Sequence, residues 1–110
     1  MVEHKLDATF AALADPTRRG MLASLAQGER SIGELAAPFA MSFAGASKHV
    51  RMLEKAGLIE RRRSGRQIIC RVRPKPLREA DAWLRQWESL WIDSLDKLEA
   101  LLAERNSPQA

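Results

Sequence analysis

Lysine and arginine side chains are the groups in this 110-residue sequence that could do chemistry, and they crowd into its middle third. Residues 42–78 carry eleven cations against Glu54 and Glu60, a net charge of +9. The flanks are acidic, with −1 over residues 1–41 and −4 over residues 79–110, which leaves +4 for the whole chain. Cations at this density neutralise phosphates, so the pattern predicts a polyanionic partner rather than a reaction.

Groups that would support catalysis are missing from the sequence. It has no glycine-rich phosphate loop, no tyrosine and no cysteine–histidine pair within one element, so we predict that the protein is not an enzyme. The single cysteine, Cys70, excludes an internal disulfide and a cysteine-cluster metal site, so no cofactor is expected. Apolar runs are short and the N-terminus lacks the apolar segment of a signal peptide, which favours a cytoplasmic protein.

The first element that must position the cations is a helix. Ser42 is suited to cap a helix over residues 43–56, which Gly57 would end. An apolar stripe of Ala46, Val50 and Leu53 would face a core. The opposite face carries small residues, which allow close approach to base edges, and then long cations, which reach phosphates. The candidate DNA-binding residues of this helix are Ser42, Ala44, Ser47, Lys48, Arg51 and Lys55.

Shorter helices are predicted before this one. Asp15 followed by proline is typical of a helix start, and Ser31 with Glu34 forms a capping-box pattern. Pro38 would end the helix that the capping box begins, and the cationic helix follows after a tight turn. A short helix, a turn and a second helix make a helix-turn-helix pattern.

A basic hairpin is predicted next, from strands over residues 58–63 and 67–72 joined by a turn at Ser64-Gly65. Arginines crowd its tip, and they are Arg61, Arg62, Arg63 and Arg66. A basic hairpin directly after a helix-turn-helix is typical of the wing of a winged helix. Arginine suits a wing because the narrow minor groove of DNA has a strongly negative potential.

The last predicted helix, residues 76–105, is too long for one small domain to cover. The apolar pattern runs over nearly 28 of these residues, which make a helix of about 42 Å, whereas a chain of this size has a radius of gyration of about 13 Å. Apolar residues recur along it at helical spacing, so we expect a two-fold dimer through the first and last helices. The candidate interface residues are Leu6, Phe10, Leu84, Trp87, Trp91, Leu95, Leu98 and Leu102.

These elements predict a mainly α fold with a β-hairpin. We expect a winged helix-turn-helix of about five helices and a two-stranded wing. Residues 1–110 would form one domain that both binds DNA and dimerises.

Four segments at this separation resemble the ArsR/SmtB family of bacterial winged-helix repressors. The segments are residues 10–19 (FAALADPTRR), 31–36 (SIGELA), 47–59 (SKHVRMLEKAGLI) and 65–66 (GR). The resemblance covers about residues 6–105. It implies a homodimer, with the fourth helix in the major groove and the hairpin as wing. Ser42, Ala44, Ser47 and Lys48 match recognition-helix positions, and Arg63 and Arg66 match the wing.

The chain departs from the metal-sensing members of that family. Their Cys-x-Cys pattern in the third helix is replaced by residues 34–38 (ELAAP), and residues 77–105 contain no histidine. Carboxylates alone make a poor site for a borderline-soft metal, so we expect no metal site. The effector stays open between none, an organic ligand and redox sensing through Cys70.

Several residues have more than one interpretation. His49 suits packing or a local hydrogen bond, a DNA-backbone contact or a metal ligand. Cys70 is either a buried thiol or a redox group beside Arg71. Arg18 and Arg19 suit surface or ion-pair residues or a phosphate contact. Trp83, Trp87 and Trp91 suit core and interface packing or a ligand cavity.

The sequence predicts a dimeric repressor that binds an inverted repeat of double-stranded DNA, and its own operator is one candidate site. The competing hypothesis is a winged helix that docks proteins rather than DNA. RNA is disfavoured, because its major groove is too narrow for a helix.

Overall fold

The computed structural model describes residues 2–106. It contains five α-helices, a short 3-10 helix and three strands, so the mainly α fold class is confirmed. The chain forms two compact units, one up to Ala80 and one from Asp81 onwards. In chain order the elements are α1 (Val2–Leu13), α2 (Pro16–Ala26), β1 (Arg30–Ser31), α3 (Ile32–Ala36), the 3-10 helix (Ala37–Phe39), α4 (Phe43–Lys55), β2 (Ile59–Ser64), β3 (Gln67–Val72) and α5 (Lys75–Asn106).

Side-chain caps fix where three of the helices begin. Asp15 accepts a hydrogen bond from the Arg18 backbone N–H at 3.0 Å at the start of α2. Ser31 and Glu34 form the predicted capping box of α3, and Ser42 accepts from the Gly45 N–H at 3.0 Å to start α4. These caps satisfy backbone donors that a helix start leaves unpaired, so each start is set locally.

The core of the first unit is continuous across helices and sheet. The inner stripe of α4 is completely buried, as predicted, with Ala46, Val50 and Leu53 all at 0% exposure. Other members of the core are Met21, Leu25, Ile32, Leu35, Leu58 and Ile59. Because the stripe is buried, the opposite face of α4 points to solvent.

The turn between α3 and α4 ends on a left-handed residue. Ala40 has φ 51°, a conformation that costs a residue with a Cβ about 1 kcal/mol. Pro38 stops regular α-helix just before it, as the sequence predicted. The turn that joins α3 to α4 is therefore made by the backbone conformation of a few residues.

The sheet has three strands rather than the two that the sequence predicted. β1 is only two residues long and pairs antiparallel with β3, with Arg30 opposite Cys70. β2 pairs with the other edge of β3, which gives the strand order β1-β3-β2. Ser64 pairs with Gln67, so the two-residue turn is Gly65-Arg66 and not Ser64-Gly65. Gly65 takes φ 62°, which places it at a turn position that favours glycine.

The second unit is the greater part of α5, which is one continuous helix of 32 residues. Every residue from Asp81 to Asn106 is exposed in the single chain, including its tryptophans and leucines. Within residues 2–106, no helix is long and apolar enough to cross a membrane.

Candidate nucleic-acid interface

The outer face of α4 carries cations that have no partner among the described residues. Ala44, Lys48, Arg51 and Lys55 are exposed, and Ser47 is half-buried. The three cations make no hydrogen bond or ion pair to any residue that the structure describes. The Ser42 hydroxyl accepts a hydrogen bond from the Gly45 N–H, so this side chain caps α4.

The four wing arginines separate into two kinds. Arg61 lies 3.0 Å from a Glu54 carboxylate oxygen. Arg62 donates two parallel hydrogen bonds to Glu29, at 2.8 and 2.9 Å. This hydrogen bonding lowers the pKa of the Glu29 carboxyl and raises the pKa of Arg62. Both arginines are therefore partly neutralised before any partner binds.

Arg63 and Arg66 form the second kind. Both are exposed, and neither makes an ion pair or hydrogen bond within residues 2–106. They line an open groove of about 380 Å³ between the wing and the starts of α3 and α4. The groove is also lined by Ser31, Ile32, Gly33, Phe43, Gln67 and Ile68. The arginines of the wing tip and Phe43 at the start of α4 thus border one surface.

A second charged surface covers the outer face of the sheet. Strand alternation places Glu60 and Arg62 there, on the face opposite the buried Ile59. Arg71 of β3 pairs with Glu60, its direct partner across the strands. Since these charges are matched in pairs, this face offers less net positive potential than the tip.

Arg18 is buried, which corrects the sequence-based interpretation of a surface residue. It is 9% exposed, and its guanidinium reaches α1 and α4 at once. It donates to the Ala12 carbonyl at 2.7 Å and the Ala11 carbonyl at 3.2 Å. Its Nη1 lies 3.3 Å from His49 Nδ1, so His49 makes a local hydrogen bond, one of the roles the sequence left open.

Cys70 is fully buried in the middle of β3. Burial raises the pKa of its thiol, against a smaller lowering by Arg61. A thiolate, which is the reactive form, is therefore disfavoured at neutral pH. The buried-thiol interpretation of Cys70 agrees with this environment better than the redox one.

The candidate dimer residues fall into two environments. Leu6 is only 8% exposed and belongs to the buried residues of the first unit, whereas Phe10 is 36% exposed. On the second unit the exposed fractions run from 42% to 65%. These residues are Leu84, Trp87, Trp91, Leu95, Leu98 and Leu102. The Trp83 and Trp87 rings pack with centroids 6.3 Å apart at a tilt of 56°.

No group of three or more His, Cys, Asp or Glu residues in the described part of the chain is arranged to hold a metal ion. The nearest acidic partner of His49 is Asp15, at 3.9 Å from Nδ1. The Asp15 pKa is lowered chiefly by its hydrogen bond from the Arg18 backbone N–H. This carboxylate serves the helix start of α2.

Comparison with known proteins finds solved structures with the same fold and assigns the chain to a family. Residues 13–62 match the model of a helix-turn-helix domain. The transcriptional repressor SdpR of Bacillus subtilis is 32% identical over 75 residues, covering 68% of this chain and 83% of that protein. A crystal structure of an ArsR family transcriptional regulator is 38% identical, with TM-score 0.76, covering 81% of this chain and 92% of that one.

A third match is a solution NMR structure of a homodimeric winged helix-turn-helix DNA-binding domain from Mycobacterium bovis, a possible ArsR-family regulator. It is 27% identical with TM-score 0.60, covering 88% of this chain and 84% of that one. The first two matches are a transcriptional repressor and a transcriptional regulator, and the third is described as a possible one. The chain belongs to the ArsR/SmtB family of winged helix-turn-helix transcriptional regulators, as its sequence segments predicted.

Proposed function

We propose that this protein is a dimeric repressor that binds an inverted repeat of double-stranded DNA. The observation that carries the proposal is the set of exposed cations on α4 and the wing that have no partner among the described residues. Lys48 and Arg51 lie on the outer face of α4, and Arg63 and Arg66 lie across the groove at the wing tip. A helix in the major groove with a wing beside it would bring both sets to phosphates.

Different residues would supply affinity and sequence discrimination. The cations of α4 and the wing would neutralise phosphates, which gives binding without sequence preference. Ala44 and Ser47, with Lys48, lie near the start of α4, where the side chains of a recognition helix reach base edges. Ser42 would contribute less than the sequence predicted, since its hydroxyl caps the helix.

The dimer is proposed through α1 and α5, with residues 1–110 acting as one DNA-binding and dimerisation domain. Support comes from the exposed apolar row of the second unit and from the homodimeric M. bovis domain of similar fold. Two recognition helices in such a dimer would enter successive major grooves about 34 Å apart. The site on DNA would then be an inverted repeat.

We further propose that DNA binding requires no metal. The support is in the donor set, since α3 contains no cysteine and α5 no histidine. The burial of Cys70 favours a repressor without a thiol switch, which leaves an organic effector or none.

The test is fluorescence anisotropy of the purified protein with the duplex upstream of its own gene. We expect tight binding, steep salt dependence and no change on adding zinc, EDTA or reductant. A flat salt curve, or no preference over a scrambled duplex, would favour the protein-docking hypothesis. Release by zinc or by oxidant would contradict the proposed mode of regulation.

A further inference from the structure

The Arg18 side chain joins the end of one helix to the side of another. Its Nε and Nη2 donate to the Ala12 and Ala11 carbonyls, which belong to the last turn of α1. Carbonyls of a last turn have no partner within their own helix and carry the negative end of its dipole. A buried guanidinium is stabilised there because it satisfies these acceptors and its charge is favourable.

The third nitrogen of the Arg18 guanidinium, Nη1, contacts α4, the proposed recognition helix. Arg18 Nη1 lies 3.3 Å from His49 Nδ1 and 3.4 Å from the Met52 sulfur, both on α4. Arginine has no acceptor and stays protonated, so His49 Nδ1 must accept in this contact and the ring proton lies on Nε2. Three elements, α1, α2 and α4, thus meet at one side chain.

His49 is well placed to control the orientation of the outer face of α4. It follows Lys48 directly and lies between the buried Val50 stripe and the exposed cations. Successive helix residues are 100° apart, so fixing the His49 side chain fixes the rotation of α4 about its axis. A small rotation would move Ser47 and Lys48 relative to base edges about as much as it moves His49.

We propose that Arg18 is a positioning residue for DNA recognition, which holds α4 against the end of α1 through the Nδ1 atom of His49. This inference rests on the proposed DNA-binding function. It separates two roles on α4, because the cations supply affinity while the Arg18–His49 contact holds the helix where its small residues read sequence. Neither Arg18 nor His49 need touch DNA.

Two pairs of matched variants test the inference. The H49N variant has an amide oxygen close to the position of His49 Nδ1, so it keeps an acceptor for Arg18. The H49Q variant has its amide near the position of Nε2, so it loses that acceptor. Arg19 is an exposed neighbour that donates to the Leu13 carbonyl at 2.7 Å without reaching α4. Arg19→Lys is therefore the control for Arg18→Lys, and both keep the charge.

The probe is a duplex that the wild-type protein selects from a randomised library, compared with the same duplex after its half-sites are scrambled. We expect H49Q and R18K to lower the ratio of the affinity for the selected duplex to the affinity for the scrambled duplex about ten-fold. This is the effect of losing one hydrogen bond to a charged group. H49N and R19K should keep the wild-type ratio. The slope of log K against log salt should be the same for all five proteins, because no phosphate contact is removed.

The outcomes separate this inference from the function on which it rests. If no duplex is selected, DNA recognition fails and the positioning role fails with it. Equal ratios for H49Q, H49N and wild type, with selection intact, overturn the positioning role alone. A salt slope lower by about one in H49Q would instead show His49 on a phosphate and also overturn it. Thermal unfolding of each variant excludes lost folding as the cause, and the R18K and R19K pair decides the question if H49Q is unfolded.

Discussion

Replacing Arg63 and Arg66 with alanine should flatten the salt dependence of DNA binding far more than replacing Arg61 and Arg62. The two tip arginines have no partner among the described residues, so each is free to take a phosphate. The other two are held by Glu54 and Glu29. Charge density grouped all four together, the family resemblance matched only Arg63 and Arg66 to the wing, and the ion pairs give a physical reason for that distinction.

The expected magnitude follows from counterion release. Each lost contact with B-DNA lowers the slope of log K against log salt by about 0.9, so two arginines per protomer change the slope of a dimer by about 3.6. Over a fourfold rise in salt, the R63A/R66A protein should therefore lose about 150-fold less affinity than wild type. The R61A/R62A protein should change the slope by less than about one, since its arginines already have carboxylate partners.

The assay is fluorescence anisotropy at several salt concentrations, with the selected duplex and a scrambled one. Both duplexes should show the same change in slope, because phosphate contacts carry no sequence information. Equal salt slopes for the two double variants would refute the division of the wing arginines into paired and unpaired ones. A change confined to the selected duplex would show that the tip arginines read bases.

Three further predictions concern the dimer, the thiol and the caps. L95K should make the protein monomeric in light scattering and weaken the dimer at least about 100-fold by burying an unpaired charge, whereas D93K on the opposite face should not. Cys70 should not react with a thiol reagent until the protein unfolds, because burial raises its pKa; rapid reaction of folded protein would contradict this. The hydrogen bond from the Ser31 backbone N–H is the main cause that lowers the pKa of Glu34 from 4.5. The charged carboxylate therefore stabilises the folded state fully above pH 4.5, and this stabilisation is lost as the pH falls through the lowered pKa of the folded protein. Glutamine keeps the cap without titrating, so the difference in Tm between wild type and E34Q should shrink below pH 4.5, and a constant difference would count against the assignment.

Local chemistry explains the parts of the fold that the sequence predicted. A cap such as Ser31 or Ser42 acts within three residues of its helix start, so the pattern and the structure depend on the same short segment. The buried stripe of α4 is equally local, because helical periodicity decides which side chains share a face. The helix-turn-helix and the hairpin could therefore be placed along the chain with errors of one or two residues.

Contacts between distant residues account for what the sequence did not reveal. β1 has two residues and no apolar alternation, and it exists because Arg30 and Ser31 find β3 about forty residues away. The Glu29–Arg62 pair joins residues 33 positions apart, and no local pattern marks it. Burial of Arg18 depends on where the end of α1 meets α4. Such pairings are decided by tertiary packing, which periodicity alone does not encode.

Ser31 belongs to two elements at once, since it pairs with Ile69 in the sheet and caps α3 with its hydroxyl. The sheet and the helix-turn-helix therefore have no spacer between them on this side. An added residue at Ser31 would shift the strand register and the helix start together, whereas an added residue at the exposed Gly65-Arg66 turn would shift neither. We therefore expect this chain to tolerate an inserted residue at the turn of the hairpin, whereas an insertion at the Ser31 junction should disturb the sheet and α3 together.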